Sequence, residues 1–487
     1  MDKDGSLRIN KWEFGIGQSP HLGFGQMVNV DIFSQPGSLK ISNKLELDGN
    51  SSDVIDGFIR WVAQNPQNGD LYFVDIAGKL YKRDGTADWT VVSGHGTSGS
   101  RGQGLGIWKG YLFYARSTKL DVMNLSTGVW ENNWQDLEAS QFHPMMSGQD
   151  DYLYIGNAQY LDVINEATPP FDPNDSNSYT YNAQDLELRS DYQITCLEQL
   201  GSDIAIGTII NNDLAVADMF FWDGTSDSFA LNKTIRFAED GVTMTKNINN
   251  ILYTFPGTGL PRLMKSVTAQ AVEAKRLNNI QNFGFLNRIE MSPNAIEQYK
   301  GELLFGVSQD NVNDVYPLGV YSFRNDAYVL KNIISTGSDG SNGGVKIGTI
   351  VNATPQRFLV TWKDTTSSPT AYGADILSDY FYDDFSAYVE SPLYTVATVD
   401  DPKTFEKVQI IMGRNLNTGD EIRIKARKAL NEDWTTVCTI GSLYVGRTAF
   451  DAKFENLGKF TDIQIRIEMK TSSTATVSPE LREVKLT

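Results

Sequence analysis

The chain has 487 residues, of which 40% are hydrophobic, 11% aromatic and 42 glycine, a composition that excludes a disordered chain and fits a turn-rich globular protein with a large core. Its 42 Lys and Arg stand against 60 Asp and Glu, a formal charge of -18 that disfavours adhesion to nucleic acid. The acidity is uneven: Ser391–Thr487 holds 14 basic and 13 acidic residues, and residues 1–390 hold the other 28 and 47, so the balance is +1 at the end and -19 before it.

In chain order, MDKDGSLRINKWEFG has no apolar core of a secretion signal, and no run of about 18 apolar residues follows, so neither a signal peptide nor a membrane span is expected. Met27–Ser42, MVNVDIFSQPGSLKIS, reads as a hairpin-like arm. Val28, Val30 and Ile32 alternate with polar neighbours, Pro36-Gly37 turns the chain, and Leu39 and Ile41 resume the alternation. Residues 1–50 are assigned to this arm.

From residue 51 to 380 short strands and turns recur as units 57–92, 104–134, 146–167, 194–231, 242–266, 294–330 and 343–378. In the first, Leu71, Phe73, Ile76, Leu80 and Tyr81 are the core candidates; in the second, Gly110 turns one strand into Tyr111–Tyr114. The second and third units both continue into Leu-Asp-Val, at Leu120 and Leu161, a period of about 41 residues within the range of propeller blades. About seven units of three to four strands predict a β-propeller, with a long β-sandwich stack as the alternative. Helical periodicity is nearly absent, its best candidate being a short polar stretch around Gln270–Arg276.

After the aromatic, acidic Tyr380–Phe385 segment the grammar changes. KVQIIMG, EIRIKARKAL, TTVCTIGSL and TDIQIRIEM alternate as antiparallel strands, and the chain closes on PELREVKL. Residues 381–487 are expected to form a C-terminal antiparallel β-sandwich, so the fold class is all-β.

Catalytic equipment is sparse. Three histidines, His21, His95 and His143, offer no HExxH motif or close pair; no phosphate-binding GxxxxGK[ST] or GxSxG elbow occurs, and GHGTSGS and GSDGSNGG read as loops. DPNDSN (172–177) and Asp2-Lys-Asp-Gly5 carry oxygen ligands for a hard cation, but neither completes an EF-hand, and solvated turns explain them. RDGTADW (83–89) does not match the aspartate-box turn of sialidase-like propellers, because its Asp and Gly are adjacent. With 60 acidic residues, no glycosidase-type carboxylate pair can be singled out. Cys196 and Cys438, 242 positions apart, suggest no disulfide framework and a reducing site of synthesis. Trp61, Trp89, Trp108, Trp130, Trp134, Trp222, Trp362 and Trp434 are expected in cores or between blades. No catalytic residue, cofactor or metal is assigned.

The arm carries Ser19-Pro20, Gly23-Phe24, Asn29-Val30-Asp31 and Pro36-Gly37-Ser38-Leu39, and in this it resembles the N-terminal segment of β-propeller virion proteins of tailed bacteriophages. Phe405, Trp434, Ile463–Ile467 and Ser478-Pro-Glu-Leu481 resemble the β-sandwich that closes many of them. The two ends cover about 130 residues; the middle is similar in repeat style only.

The resemblance implies a structural tail, neck or nozzle component, made in the host cytoplasm and built into the virion beside other tail or neck proteins. It implies a homo-oligomeric ring through which DNA passes without specific binding. Asn29, Val30, Asp31, Ile32, Pro36, Gly37 and Leu39 would form an assembly arm that adds to a neighbour's sheet, latches the first blade to the last, or closes its own propeller. The near-neutral terminal domain would dock. Two other classes are open: a glycan-hydrolysing propeller, which needs a carboxylate pair in a deep pocket, and a receptor- or glycan-binding propeller, which needs aromatic residues clustered on one face.

Overall fold

The computed structural model describes residues 6–17, 23–96, 101–210, 217–226, 233–237, 239, 241–256, 262–268, 271–276, 289–309, 319–335 and 344–487, with backbone only for 271–276, 289–290 and 309. Asp2–Gly5, Ser19-Pro20, His21, most of GSDGSNGG and the end of GHGTSGS lie outside the described residues.

The described chain is nearly all β, organised as successive four-stranded antiparallel sheets. Sheet A comprises Ile59–Gln64, Leu71–Asp75, Leu80–Arg83 and Trp89–Val92; sheet B comprises Gly102–Trp108, Tyr111–Arg116, Lys119–Asn124 and Trp130–Asp136. Sheet C runs through Met145–Ser147, Leu153–Asn157, Tyr160–Glu166 and Tyr179–Glu187, and sheet D through Tyr192–Leu200, Asp203–Ile210, Ala217–Trp222 and Thr234–Phe237. Sheet E is Val242–Ile248, Ile251–Pro256, Arg262–Ser266 and Ala271–Arg276. Of the polar stretch around Gln270–Arg276, the described part, Ala271–Arg276, is strand and not helix, because it pairs along Arg262–Ser266 and completes the sheet; Gln270 lies outside the described residues.

Ile296–Tyr299, Glu302–Gln309, Gly319–Arg324 and Ala327–Asn332 form sheet F, part of a larger sheet described below. Sheet G takes Val345–Thr354, Arg357–Asp364 and Ala371–Phe381 from late in the repeats and its fourth strand, Asn43–Leu47, from the N-terminal region.

The first strands of sheets A to G pack each against the next, and that of G returns to that of A. A closed cycle of small radial sheets is a β-propeller, which leaves only short edges exposed. Small residues permit the close approach: a side chain at Gly104 would collide with the His143 carbonyl of sheet C's leading segment, and one at Gly348 with the Ile59 carbonyl where the cycle closes. His143 is itself fully buried between sheets B and C, its ring nitrogens facing the carbonyl oxygens of Gly156 and Ser117, and burial holds it neutral by lowering its pKa.

The recurring Leu-Asp-Val has a structural cause. Leu120, Val122, Leu161 and Val163 are buried, and between them Asp121 and Asp162 accept the backbone N–H of Asn133 (2.7 Å) and Gln184 (2.8 Å). Those two residues have positive φ at irregularities in the fourth strands, where the ladder alone would leave a donor unpaired. Of the first unit's core candidates, Leu71, Phe73, Leu80 and Tyr81 are fully buried, but Ile76 is 43% exposed. It lies in the Asp75–Lys79 reversal, where the Asp75 carboxylate accepts the N–H groups of Ala77 and Lys79 and the side chain turns outward.

After residue 381 two further sheets form. One contains Ala387–Glu390, Asp462–Lys470, Glu421–Arg427 and Thr435–Ile440; the other contains Val30–Asp31, Leu39–Ile41, Glu480–Leu486, Lys407–Met412 and Ala449–Lys453, with Leu7–Ile9 beside Glu480–Leu486. Ile422, Ile424, Ile465 and Ile467 of the first share a core with Val408, Ile410, Val484 and Leu486 of the second. The strand Ala449–Lys453 escaped the sequence reading, since only Phe450 of its five side chains is buried and alternation is faint.

Candidate functional site

The arm residues come first. Val30 and Asp31 pair with Ile41 and Lys40, so the hairpin forms, but Asn29 takes φ 55° and breaks the strand between Val28 and Val30. Gln26–Val28 is inserted between Ala327–Asn332 of sheet F, parallel to it, and Ala387–Glu390, antiparallel to it. One continuous sheet of 11 strands results, running from the repeats into the terminal region.

Asn29 sits at the junction, fully buried. Its Oδ1 accepts Ile333 N–H (2.9 Å), its Nδ2 donates to the Ser386 carbonyl (3.2 Å), and its backbone N–H donates to Leu330 (2.8 Å). Val30, Ile32 and Leu39 are buried in the same core. Asp31 caps the turn by accepting the N–H groups of Phe33 (2.8 Å) and Ser34 (3.0 Å). Burial alone would raise its pKa, but the Lys331 charge and those N–H groups outweigh it and hold the carboxyl below its ordinary value. Lys331 is itself buried and pairs with Glu302 at 2.6 Å; Ser322 donates to the same Glu302 oxygen. Pro36 and Gly37 stand exposed at the hairpin tip. The described arm is thus largely occupied by its own chain.

A second feature lies among the first strands of sheets A to F. A cavity of about 180 Å³ is lined by Trp61, Leu105, Met145 and Met146 and by Glu198, Thr245, Lys246 and Asn294. Lys246 pairs with Glu297 at 3.2 Å. The Glu198 carboxyl accepts the backbone N–H of Gln199 at 3.3 Å, and burial pushes its pKa up to about 7 against the pull of Lys246 and of the Gln199 and Asn247 backbone. Cys196 also lines the cavity; burial raises its thiol to about 12, so it is not a nucleophile at neutral pH. Sequence reading missed this set. Glu198, Lys246 and Glu297 fall on three strands about 50 residues apart, and only closure of the cycle brings them together.

The third feature is the polar face of the terminal sheet. Strict alternation in EIRIKAR and DIQIRIEMK puts Arg423, Lys425, Arg427, Arg466 and Lys470 opposite the apolar core. Arg466 lies over Tyr388 (3.7 Å to the ring centroid), Arg423 over Phe385 (3.8 Å) and Arg427 over Trp434 (4.4 Å). Beneath them Glu468 and Glu390 are buried and paired with Lys425 (2.7 Å) and Arg466 (3.2 Å). Of the other tryptophans, Trp61, Trp89, Trp108, Trp222 and Trp362 are buried, and Trp130, Trp134 and Trp434 half-buried.

Among the described residues no three His, Cys, Asp or Glu side chains cluster as a metal site, and no helix is long and apolar enough to cross a membrane. DPNDSN forms turns in which Asp172 and Asp175 accept the N–H groups of Asn174 and Asn177.

No protein-family model and no curated protein matches the chain. Among solved structures it is similar to the Cps50 (Swd1) β-propeller domain of Myceliophteria thermophila, at 12% identity and TM-score 0.45 over 66% of this chain and 97% of that one. It is also similar to the extracellular domain of a hybrid two-component system from B. thetaiotaomicron, at 14% identity and TM-score 0.44 over 77% of this chain and 43% of that one. The computationally designed Ika8 protein follows at 11% identity and TM-score 0.39 over 67% and 98%. These likenesses carry nothing about function, and the propeller rests on the strand pairing above.

Proposed function

We propose that the chain is a structural virion protein of a tailed bacteriophage, a propeller-type tail, neck or nozzle component rather than an enzyme. The observation that carries this reading is the insertion of Gln26–Val28 between a repeat sheet and a terminal sheet, which couples both parts through backbone hydrogen bonds. A mechanical building block needs that coupling. The phage assignment itself rests on the sequence resemblance at the two ends of the chain.

On this reading sheets A to G are seven blades and the two terminal sheets are a β-sandwich. The arm acts as an internal clamp, and assembly into a homo-oligomeric ring falls to the exposed hairpin tip at Pro36-Gly37 and to the cationic, aromatic face of the sandwich. Tyr, Trp and Arg are the residues that dominate protein interfaces. DNA would pass through the lumen of the ring and not through a propeller: a cavity of about 180 Å³ is far too small for a duplex whose major groove alone is about 12 Å wide. An acidic lumen wall would keep DNA from sticking, in line with the -19 balance of residues 1–390.

Cryo-electron microscopy of intact particles, with the protein labelled by antibody, tests the proposal. A ring on the DNA exit axis is expected. A peripheral position, or absence from the particle, would overturn it in favour of a host-surface glycan-binding or glycan-hydrolysing propeller.

A further inference from the structure

We infer that Arg427, on the polar face of the terminal sheet, takes a carboxylate from the outer strand of sheet C of a second copy. The contact is head-to-tail and rests on the ring assembly proposed above.

Arg427 is the cation left over on its face. Arg423 and Lys425 lie against Glu468 (3.6 and 2.7 Å), Arg466 against Glu390 (3.2 Å) and Lys470 against Glu421 (3.2 Å). Among the described residues no carboxylate comes within ion-pair distance of Arg427; that of Glu432, in the adjoining turn, accepts the Lys428 N–H instead. The guanidinium is nevertheless held in place. It lies 4.4 Å from the Trp434 ring centroid and donates from Nε to Gln464 Oε1 (2.7 Å) and from Nη1 to the Glu432 carbonyl (3.5 Å). Gln464 is itself fully buried and anchored on the Ser391 carbonyl (2.8 Å). Burial, helped by the Arg466 charge and opposed by Glu390, holds the Arg427 pKa below its ordinary value, as an uncompensated charge requires. A fixed planar guanidinium in that state recognises a carboxylate.

Sheet C supplies the counterpart. Residues 120–188 hold 12 Asp and Glu and no Lys or Arg. In the outer strand, Tyr179–Glu187, Asp185 and Glu187 are exposed on either side of buried Leu186, so both carboxylates stand on one face. Lys425 and Arg427 have the same spacing across buried Ala426, so two strands offer matched charges about 6.6 Å apart. Sheets D and E separate sheet C from sheet F, which carries the terminal sheet, so the two faces meet between copies and not within one chain. Because each chain carries a charge of -18, contact away from such a cation is opposed by repulsion. A heterologous contact of this kind closes a ring or runs on as a filament.

Sedimentation velocity of the full chain over a concentration series tests the contact. The parent is expected to self-associate, more weakly at high salt. Arg427→Glu, and separately Asp185→Lys with Glu187→Lys, should each weaken association about tenfold or more. Mixing the two charge-reversed proteins in equal amounts should restore it, since each reversed face then finds a reversed partner. If Arg427→Glu fails to fold, the changes at exposed Asp185 and Glu187 decide alone. A parent that stays monomeric at every concentration, or association that these changes leave intact, overturns the contact; a ring seen in the particle beside either result would leave the virion reading standing. Labelled oligothymidine that binds the parent and not Arg427→Glu would also overturn it, by giving the site to a phosphate.

Discussion

The side-chain oxygen of Asn29 accepts the backbone N–H of Ile333 across 304 positions of sequence, at 2.9 Å. With Nδ2 on the Ser386 carbonyl, one amide joins the arm, the end of sheet F and the entry to the terminal sheets. Asn29→Ala should therefore destabilise the protein by about 2–3 kcal/mol, since it leaves a buried N–H and a buried carbonyl without partners. Asn29→Gly, which tolerates φ 55° but lacks the amide, should lose nearly as much. Urea unfolding of the three proteins measures this; an Asn29→Gly variant as stable as the parent would show that backbone conformation and not the amide matters.

Lys331 and Glu302 form a buried pair beside the arm. Lys331→Met alone should cost about 3–5 kcal/mol by stranding the carboxylate, and Lys331→Met with Glu302→Gln should recover much of it. Thermal unfolding of the single and double variants reads the coupling.

Arg116 and Asp121 are both buried, and the carboxylate also holds the Asn133 N–H. Asp121→Ala should cost about 3–5 kcal/mol by leaving the guanidinium uncompensated, whereas Asp84→Ala in an exposed turn should stay within about 1 kcal/mol. Paired denaturation curves compare them.

Glu198 gives a pH signature. Its folded pKa of about 7 exceeds the unfolded value of 4.5, so between those values the native state binds more protons and stability falls as pH rises. Burial is the main cause; Glu297 adds to it, and Lys246 and the Gln199 and Asn247 backbone oppose it. Relative to the parent, Glu198→Gln should gain a few kcal/mol at most between pH 4.5 and pH 8. Urea midpoints at the two pH values check the sign.

Much of the fold was legible because it repeats. Leu-Asp-Val marked strands whose aspartates cap irregular outer strands, and EIRIKAR announced a sheet with one apolar face. Asn29-Val30-Asp31 stood out as a motif, although its partners lie about 300 residues on and no local pattern names them. Long-range closure was the illegible part: Asn43–Leu47 reads as arm yet completes sheet G, and the cavity's Glu198 and Lys246, with Glu297 paired to the lysine, look like ordinary strand residues until the cycle closes. Ile76 misled because an apolar residue in a turn satisfies alternation as well as a core one does.

The clamp within one chain is tested most directly by a disulfide between Lys40 and Glu480, which face each other where the hairpin meets the last strand. Adjacent antiparallel strands bring Cα atoms to about 4.5–5.5 Å, within disulfide range. Oxidised Lys40→Cys, Glu480→Cys protein run without reductant should migrate as a monomer with an internal bond. Dimers and higher ladders from the same sample would contradict the clamp and place the arm on a neighbouring copy.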